Sequence, residues 1–231
     1  MRAENDWTAA QAAQHHGRLI AICSFNPLRV YAVAELERCA RDPNLKHGIK
    51  MHFGNSDVQI DDTTHLERLR RVFRAANTHH MSIIVHARAS ISLKRPYGAR
   101  QSQLFIEQLL PLVPDVTVQV AHMAGTGPGY DDPAADSAMG AFAAAVQRRD
   151  PRTRRLIFDV TSVADRDIRL RDAKRLVQRI RQVGVDRIVY GTDAATGDNL
   201  RPLAAWAALR ELPLTDVEFT RIARNVAPYL R

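Results

Sequence analysis

Cysteine, lysine and long apolar runs are all scarce in this 231-residue chain, and each scarcity excludes something. Two cysteines, Cys23 and Cys39, cannot build a disulfide framework, and there is no Cys-x-x-Cys knuckle for a structural metal. Apolar stretches such as Ser82-Ile83-Ile84-Val85 are far shorter than the roughly 20 residues that cross a bilayer. The opening Met1–Thr8 is polar and lacks a signal-peptide core. A soluble, cytoplasmic protein with no membrane partner is expected. No Gly/Ser linker or shift in composition divides the chain, so residues 1–231 are read as one domain. With 45% hydrophobic and 25% charged residues, it has the composition of a folded protein with a sizeable core.

The lysine shortage qualifies the charge. Of 33 basic residues against 25 acidic ones, only Lys46, Lys50, Lys94 and Lys174 are lysines. The rest are arginines in an alanine-rich chain. Both residues have GC-rich codons, so the net charge of +8 reflects a GC-rich genome more than a nucleic-acid surface. The arginines are scattered among acids and form no basic tract with interleaved aromatics, so no nucleic-acid partner is expected.

Six short apolar runs are present: Leu19–Ser24, Gly48–Phe53, Ser82–His86, Val116–His122, Leu156–Val160 and Arg187–Gly191. Helical patterns lie between most of them. In Thr64–Asn77, apolar residues recur at three- and four-residue steps behind a capping box of Thr64 and Glu67. A second helix carries Ala173, Leu176, Val177 and Ile180 and stops at Gly184, and a third begins with the box Thr215 and Glu218. Successive runs are about 30 to 40 residues apart, the length of one strand–helix unit. Strands apolar on both faces and separated by helices predict an α/β fold with a parallel sheet.

The C-terminal ends of three runs carry His86, His122 and Asp193. In parallel α/β folds, and barrels above all, catalytic groups collect at those ends. Imidazole and carboxylate suit zinc and similar divalent ions, and such an ion lowers the pKa of a bound water toward 7. Lys50 and His52 alternate on one strand and face one side, which makes both candidate pocket residues.

These strand endings, Ile-Val-His86, Val-Ala-His122-Met-Ala-Gly125 and Ile-Val-Tyr-Gly191-Thr-Asp193, resemble the later strands of the amidohydrolase superfamily, in the branch called amidohydrolase family 2. Ile222-Ala-Arg-Asn225-Val-Ala resembles that branch's closing helix. The resemblance runs from about Leu19 to the end of the chain. It implies a metal-dependent (β/α)8 barrel that hydrolyses C–N or C–O bonds, with some members being decarboxylases. His86 matches the fifth-strand metal ligand. His122 matches the sixth-strand histidine, which binds a second metal in some members and polarises water or substrate in single-metal ones. Asp193 matches the eighth-strand aspartate, which touches the metal and moves the proton of the attacking water. A divalent cofactor is implied, zinc first, with manganese or iron as alternatives.

The family's first-strand His-x-His pair has no counterpart, since no such triplet exists in the chain. His15-His16 and His79-His80 are adjacent pairs in helix-end or loop settings. Leu19–Ser24 corresponds best to the family's third strand, so the expected fold is a TIM-type barrel of about six βα units, N-terminally incomplete. Two further units of about 30 residues each would bring the length near 290, within the barrel range. Unpaired strand edges in such a fold invite oligomers or poor solubility.

Two loops bear on substrate. The loop after His86 carries Arg88, Lys94, Arg95, Tyr97 and Arg100, an expected anion clamp for a carboxylate-bearing or lactone-type small molecule. Gly125–Pro133, after His122, is a candidate lid. It carries neither the dinucleotide fingerprint nor a Gly-Lys-Ser/Thr ending, and Asp132-Pro133 suits a helix start. The expected activity is metal-dependent hydrolysis of a lactone, amide or ester. The catalytic residues are His122 and Asp193, the metal ligands His86 and Asp193, and the substrate-binding residues Arg88, His52, Lys50 and Tyr97. The alternatives are an impaired barrel remnant acting as an interaction module, a related decarboxylase, or a nucleotide- or nucleic-acid-binding α/β protein.

Overall fold

A computed structural model describes residues 1–15, 17–164, 167–193 and 201–230. His16 of the first histidine pair therefore lies outside the described residues. Six strands, β1 (Cys23–Ser24), β2 (Gly48–His52), β3 (Ser82–His86), β4 (Val118–Val120), β5 (Leu156–Asp159) and β6 (Ile188–Val189), pair in chain order and all in parallel. The helices are α1 (Arg2–Gln14), α2 (Ala32–Arg41), α3 (Thr63–Thr78), α4 (Ala99–Gln108), α5 (Pro133–Gln147), α6 (Leu170–Val183), α7 (Pro202–Arg210) and α8 (Asp216–Arg224). A doubly wound sheet reverses its strand order at a switch point, whereas here the order runs straight through. That is the winding of a TIM barrel, of which six βα units lie among the described residues.

The pleat separates the two faces. Ile49, Met51, Ile83, Val85, Val118, Val120, Phe158 and Ile188 are buried toward the helices. Phe158 begins an edge-to-face series with Phe142, Phe105 and Phe73, at centroid distances of 5.7, 5.9 and 5.7 Å. Aromatic quadrupoles favour that geometry, so the series ties α3, α4 and α5 to the sheet. The opposite face carries Lys50, Ile84, Gln119 and Ile157 in one register row, with His52 beside His86 in the next row toward the strand ends.

Several boundaries differ from the sequence reading. α3 is capped by Asp62, whose carboxylate accepts from the His65 N–H at 2.8 Å, so the Thr64–Glu67 box does not form. A carboxylate reaches the exposed amides of a first turn as well as a hydroxyl does, and its charge suits the helix dipole. The Thr215–Glu218 box does form, and Gly184 ends α6 at a φ of 91°. Asp132 caps α5 with Pro133 in its first turn.

The two cysteines make one bridge, joining β1 to α2 with a Cα–Cα distance of 6.2 Å. Beside it, α1 covers the outer edge of β1. Asn5 donates to the Ser24 carbonyl (3.0 Å) and accepts from the Ser24 N–H (2.9 Å), completing the ladder as a neighbouring strand would. Its amide also donates to the buried Glu35 carboxylate at 2.9 Å. Asn5→Ala is therefore expected to lose about 2 kcal/mol, since the buried Glu35 carboxylate and the half-buried Ser24 backbone groups lose a partner. It should also self-associate through the bared edge, read as a lower urea midpoint and a concentration-dependent mass in light scattering.

Candidate active site

Three histidines from three strand ends meet over the inner face. His52 and His86 close β2 and β3 in the same register, and their rings stack at 3.8 Å with 15° between planes. His122 stands edge-on to His86, 5.0 Å away at 63°. Burial drives both stacked imidazoles below their usual range, His52 to about 4 and His86 to about 2. Charges on the neighbouring histidines and Lys50 add to the effect. Both rings are neutral at pH 7. His52 Nδ1 accepts the Asn55 N–H at 3.1 Å, so the His52 proton sits on Nε2, which leaves that nitrogen as a donor.

His122 is held on every side. After Val120 the chain enters a turn in which His122, Met123 and Ala124 take φ values of 53°, 47° and 64°. Three consecutive left-handed residues are strained, and that turn is why β4 stops short of the expected His122. Asp159 Oδ1 accepts the His122 N–H at 2.8 Å and the Thr161 N–H at 3.1 Å. The His122 Nδ1 lies 2.9 Å from the Thr161 carbonyl oxygen. A carbonyl only accepts, so Nδ1 carries a proton, and in the neutral ring the lone pair is on Nε2.

Asp159 is the residue the sequence reading missed. It is 3% exposed and accepts Gln119 Nε2 at 2.7 Å on its second oxygen. Reading the fifth run through to Val160 hid it. The rule that selected His86 and Asp193, a polar residue closing an apolar strand, selects Asp159 once the strand ends there. Lys50 lies beneath the histidines, its pKa lowered by burial against the opposing pull of Asp159 and Asp193. Asp193 is exposed, with a φ of 51°, and also acts on His52. Two glycines permit the close approach of neighbouring segments. A Cβ on Gly191 would lie 2.5 Å from Thr161 Oγ1, and one on Gly127 would lie 2.8 Å from Ser162 Cβ. The Gly125–Pro133 segment is anchored there too, through the Gly129 N–H to the Ser162 carbonyl at 2.9 Å.

Thus Lys50, His52, His86, His122 and Asp193 come together. Arg88 and Tyr97 form a wall instead. Arg88 Nε donates to Asp132 at 2.7 Å, its guanidinium lies 4.9 Å from the Tyr97 ring centre, and the Tyr97 hydroxyl donates to the Ala124 carbonyl at 2.9 Å. Arg95 is held by Asp57 through two bonds of 2.7 Å. Two of the four cations expected for an anion clamp, Arg88 and Arg95, are thus neutralised within the protein.

The donor types at the site suit zinc, but their spacing does not. Among the described residues, the one trio of His, Cys, Asp or Glu with ligand atoms all within 4.8 Å of one another is Cys23, Glu35 and Cys39. There the sulfurs are bridged and Glu35 is paired with Arg38. His86, His122 and Asp193 do not form a closed nest as they stand. No helix among the described residues is long and apolar enough to cross a membrane.

Comparison with known proteins agrees with this architecture. An amidohydrolase from Burkholderia multivorans with bound HEPES superposes with a TM-score of 0.60 at 12% identity, covering 96% of this chain and 76% of that one. Its zinc-bound form gives a TM-score of 0.62 at 14% identity with the same coverage. A Pseudomonas putida protein described as a 2-pyrone-4,6-dicarboxylic acid hydrolase gives 0.61 at 13% identity, covering 95% and 74%. No curated relative matches the sequence. At these identities the likeness is one of fold. The family model of amidohydrolase family 2, described as "Amidohydrolase", matches residues 1–227, so this chain of six barrel units with histidines on its strand ends belongs to that metal-dependent family.

Proposed function

We propose that the protein hydrolyses a C–O or C–N bond, in a lactone, ester or amide, of a small carboxylate-bearing substrate. The observation that carries this reading is the His122 ring, whose backbone N–H and Nδ1 are both held and which stands beside His86, leaving Nε2 as its proton-accepting atom when the ring is neutral. Water attacks the acyl carbon as His122 Nε2 takes its proton. The bond from that carbon to the leaving oxygen or nitrogen then breaks, and the leaving atom takes the proton from Nε2. Lys50, beneath the histidines, faces the substrate carboxylate, and the His52 Nε2–H donates to the carbonyl oxygen as it gains charge. The water's second proton, shed as the product acid ionises, leaves through Asp193 at the exposed side. Arg88 and Tyr97 shape the pocket wall.

A zinc ion, or manganese or iron, would be held by His86 and Asp193 and would supply Lewis acidity. As they stand, His86, His122 and Asp193 do not close into a three-ligand set, and no step above depends on the ion. Metal analysis after incubation with zinc and desalting should return one equivalent per chain, and none would refute the metal assignment. Across a panel of lactones, esters and amides, His122→Gln should lower kcat at least 100-fold with KM within threefold. An unchanged kcat would remove His122 from the chemistry.

A further inference from the structure

A hydrogen-bonded line joins the C-terminal turn to the His122 ring. Pro228–Leu230 forms a single 3-10 turn after α8. It is anchored by Asn225, whose amide donates to the Val185 and Ile188 carbonyls at 2.7 Å each, beside the start of β6. From this turn the Tyr229 hydroxyl donates to Gln119 Oε1 at 2.6 Å, bridging 110 residues of sequence. Gln119 Nε2 in turn donates to Asp159 Oδ2. Asp159 Oδ1 grips the His122 and Thr161 amides, and the Thr161 carbonyl faces His122 Nδ1. With its oxygen occupied by a phenol, Gln119 must turn its NH2 toward the carboxylate.

We propose that Tyr229 is a positioning residue for His122: through Gln119 and Asp159 it holds the left-handed turn that aims His122 Nε2 into the site. Gln119 is 7% exposed, so without the phenol its oxygen would be left buried with no donor. The amide would then rock, and Asp159 would loosen its hold on both backbone amides. Burial keeps the phenol protonated, with the Asp159 charge acting in the same direction, so the donor persists across the physiological range. The ring's packing alone could be supplied by phenylalanine, so the hydroxyl is the feature to test. The inference rests on the reading of His122 as the proton acceptor.

The experiment is long-range 1H–15N NMR of the full chain, with the His122 signals assigned by their loss in His122→Gln. Wild type should show the single Nδ1–H tautomer. Tyr229→Phe should show both tautomers or exchange broadening at His122. The signals of His65, which accepts the Gln59 N–H on another part of the fold, should not move. Gln119→Leu, which keeps the volume and removes both bonds, should reproduce the change. On a substrate that wild type hydrolyses, Tyr229→Phe should lower kcat 5- to 20-fold with KM within twofold. Wild-type His122 signals in both variants would overturn the proposal. If wild type hydrolyses nothing in the panel, the hydrolase reading falls while the ring spectra still decide the role of Tyr229.

Discussion

Asp159→Ala is expected to destabilise the protein by about 4 kcal/mol and to lower hydrolysis by about 10²- to 10³-fold. The carboxylate is 3% exposed and accepts three hydrogen bonds, from Gln119 Nε2, the His122 N–H and the Thr161 N–H, at 2.7, 2.8 and 3.1 Å. Removing it strands two buried donors and the half-buried Thr161 N–H, each buried one worth roughly 1 to 3 kcal/mol when unpaired. It also removes one of two carboxylates that oppose the desolvation of Lys50. The kinetic loss has a separate origin. His122 sits in a run of three left-handed residues, a conformation that persists only where its surroundings over-determine it. Asp159 pins that run directly at His122 and indirectly through Thr161. Asp159→Asn should fall between, because one oxygen still accepts while the new NH2 meets a donor. Urea unfolding and kcat on the same preparations test both parts. A loss below about 1 kcal/mol with unchanged kcat would show that the carboxylate does not organise the turn.

The succession of parallel strands, and the residues Lys50, His52, His86, His122 and Asp193 near their C-terminal ends, were legible because each signal was local. Ser82–His86 is a β-branched run closed by a histidine, and the structure gives it the same bounds. Where the run began before its first paired residue, as at Leu19, or continued past its last, as at Ala121–His122, periodicity alone could not say where pairing starts or stops. Asp159 was missed for that reason. The remaining differences come from long-range contacts. Arg88 and Arg95 read as a free positive loop, yet their partners Asp132 and Asp57 lie 44 residues downstream and 38 upstream. The Cys23–Cys39 bridge depends on α2 lying across β1, and the Asn5 edge cap on where α1 packs. No pattern within either segment announces those placements. Tyr229 stood outside every motif, and only the fold brings it to Gln119.

Between pH 6.5 and pH 5 the protein should lose about 2 to 3 kcal/mol of stability, before most carboxylates begin to protonate. The cause is the stacked pair His52 and His86, whose folded values are depressed from 6.5 to about 4 and about 2, mainly by burial. A histidine depressed in the folded state takes up its proton first in the unfolded chain. Stability is therefore fully present above 6.5 and falls as pH drops, at up to roughly 1.4 kcal/mol per unit for each ring. For His52 the loss levels off near its folded value of about 4. Carboxylates held down by arginine, such as Glu35 at about 2 beside Arg38, add their own loss only below about 4.5, where the unfolded chain binds those protons. The window above pH 5 therefore isolates the histidines. Urea midpoints at pH 6.5, 5.75 and 5 give the slope, and His86→Leu should roughly halve it by removing one of the two rings while keeping the site apolar. A flat profile in wild type would mean that the pair is not held neutral. It would remove the basis for treating His86 as an open metal donor and His52 Nε2–H as the donor to the substrate carbonyl.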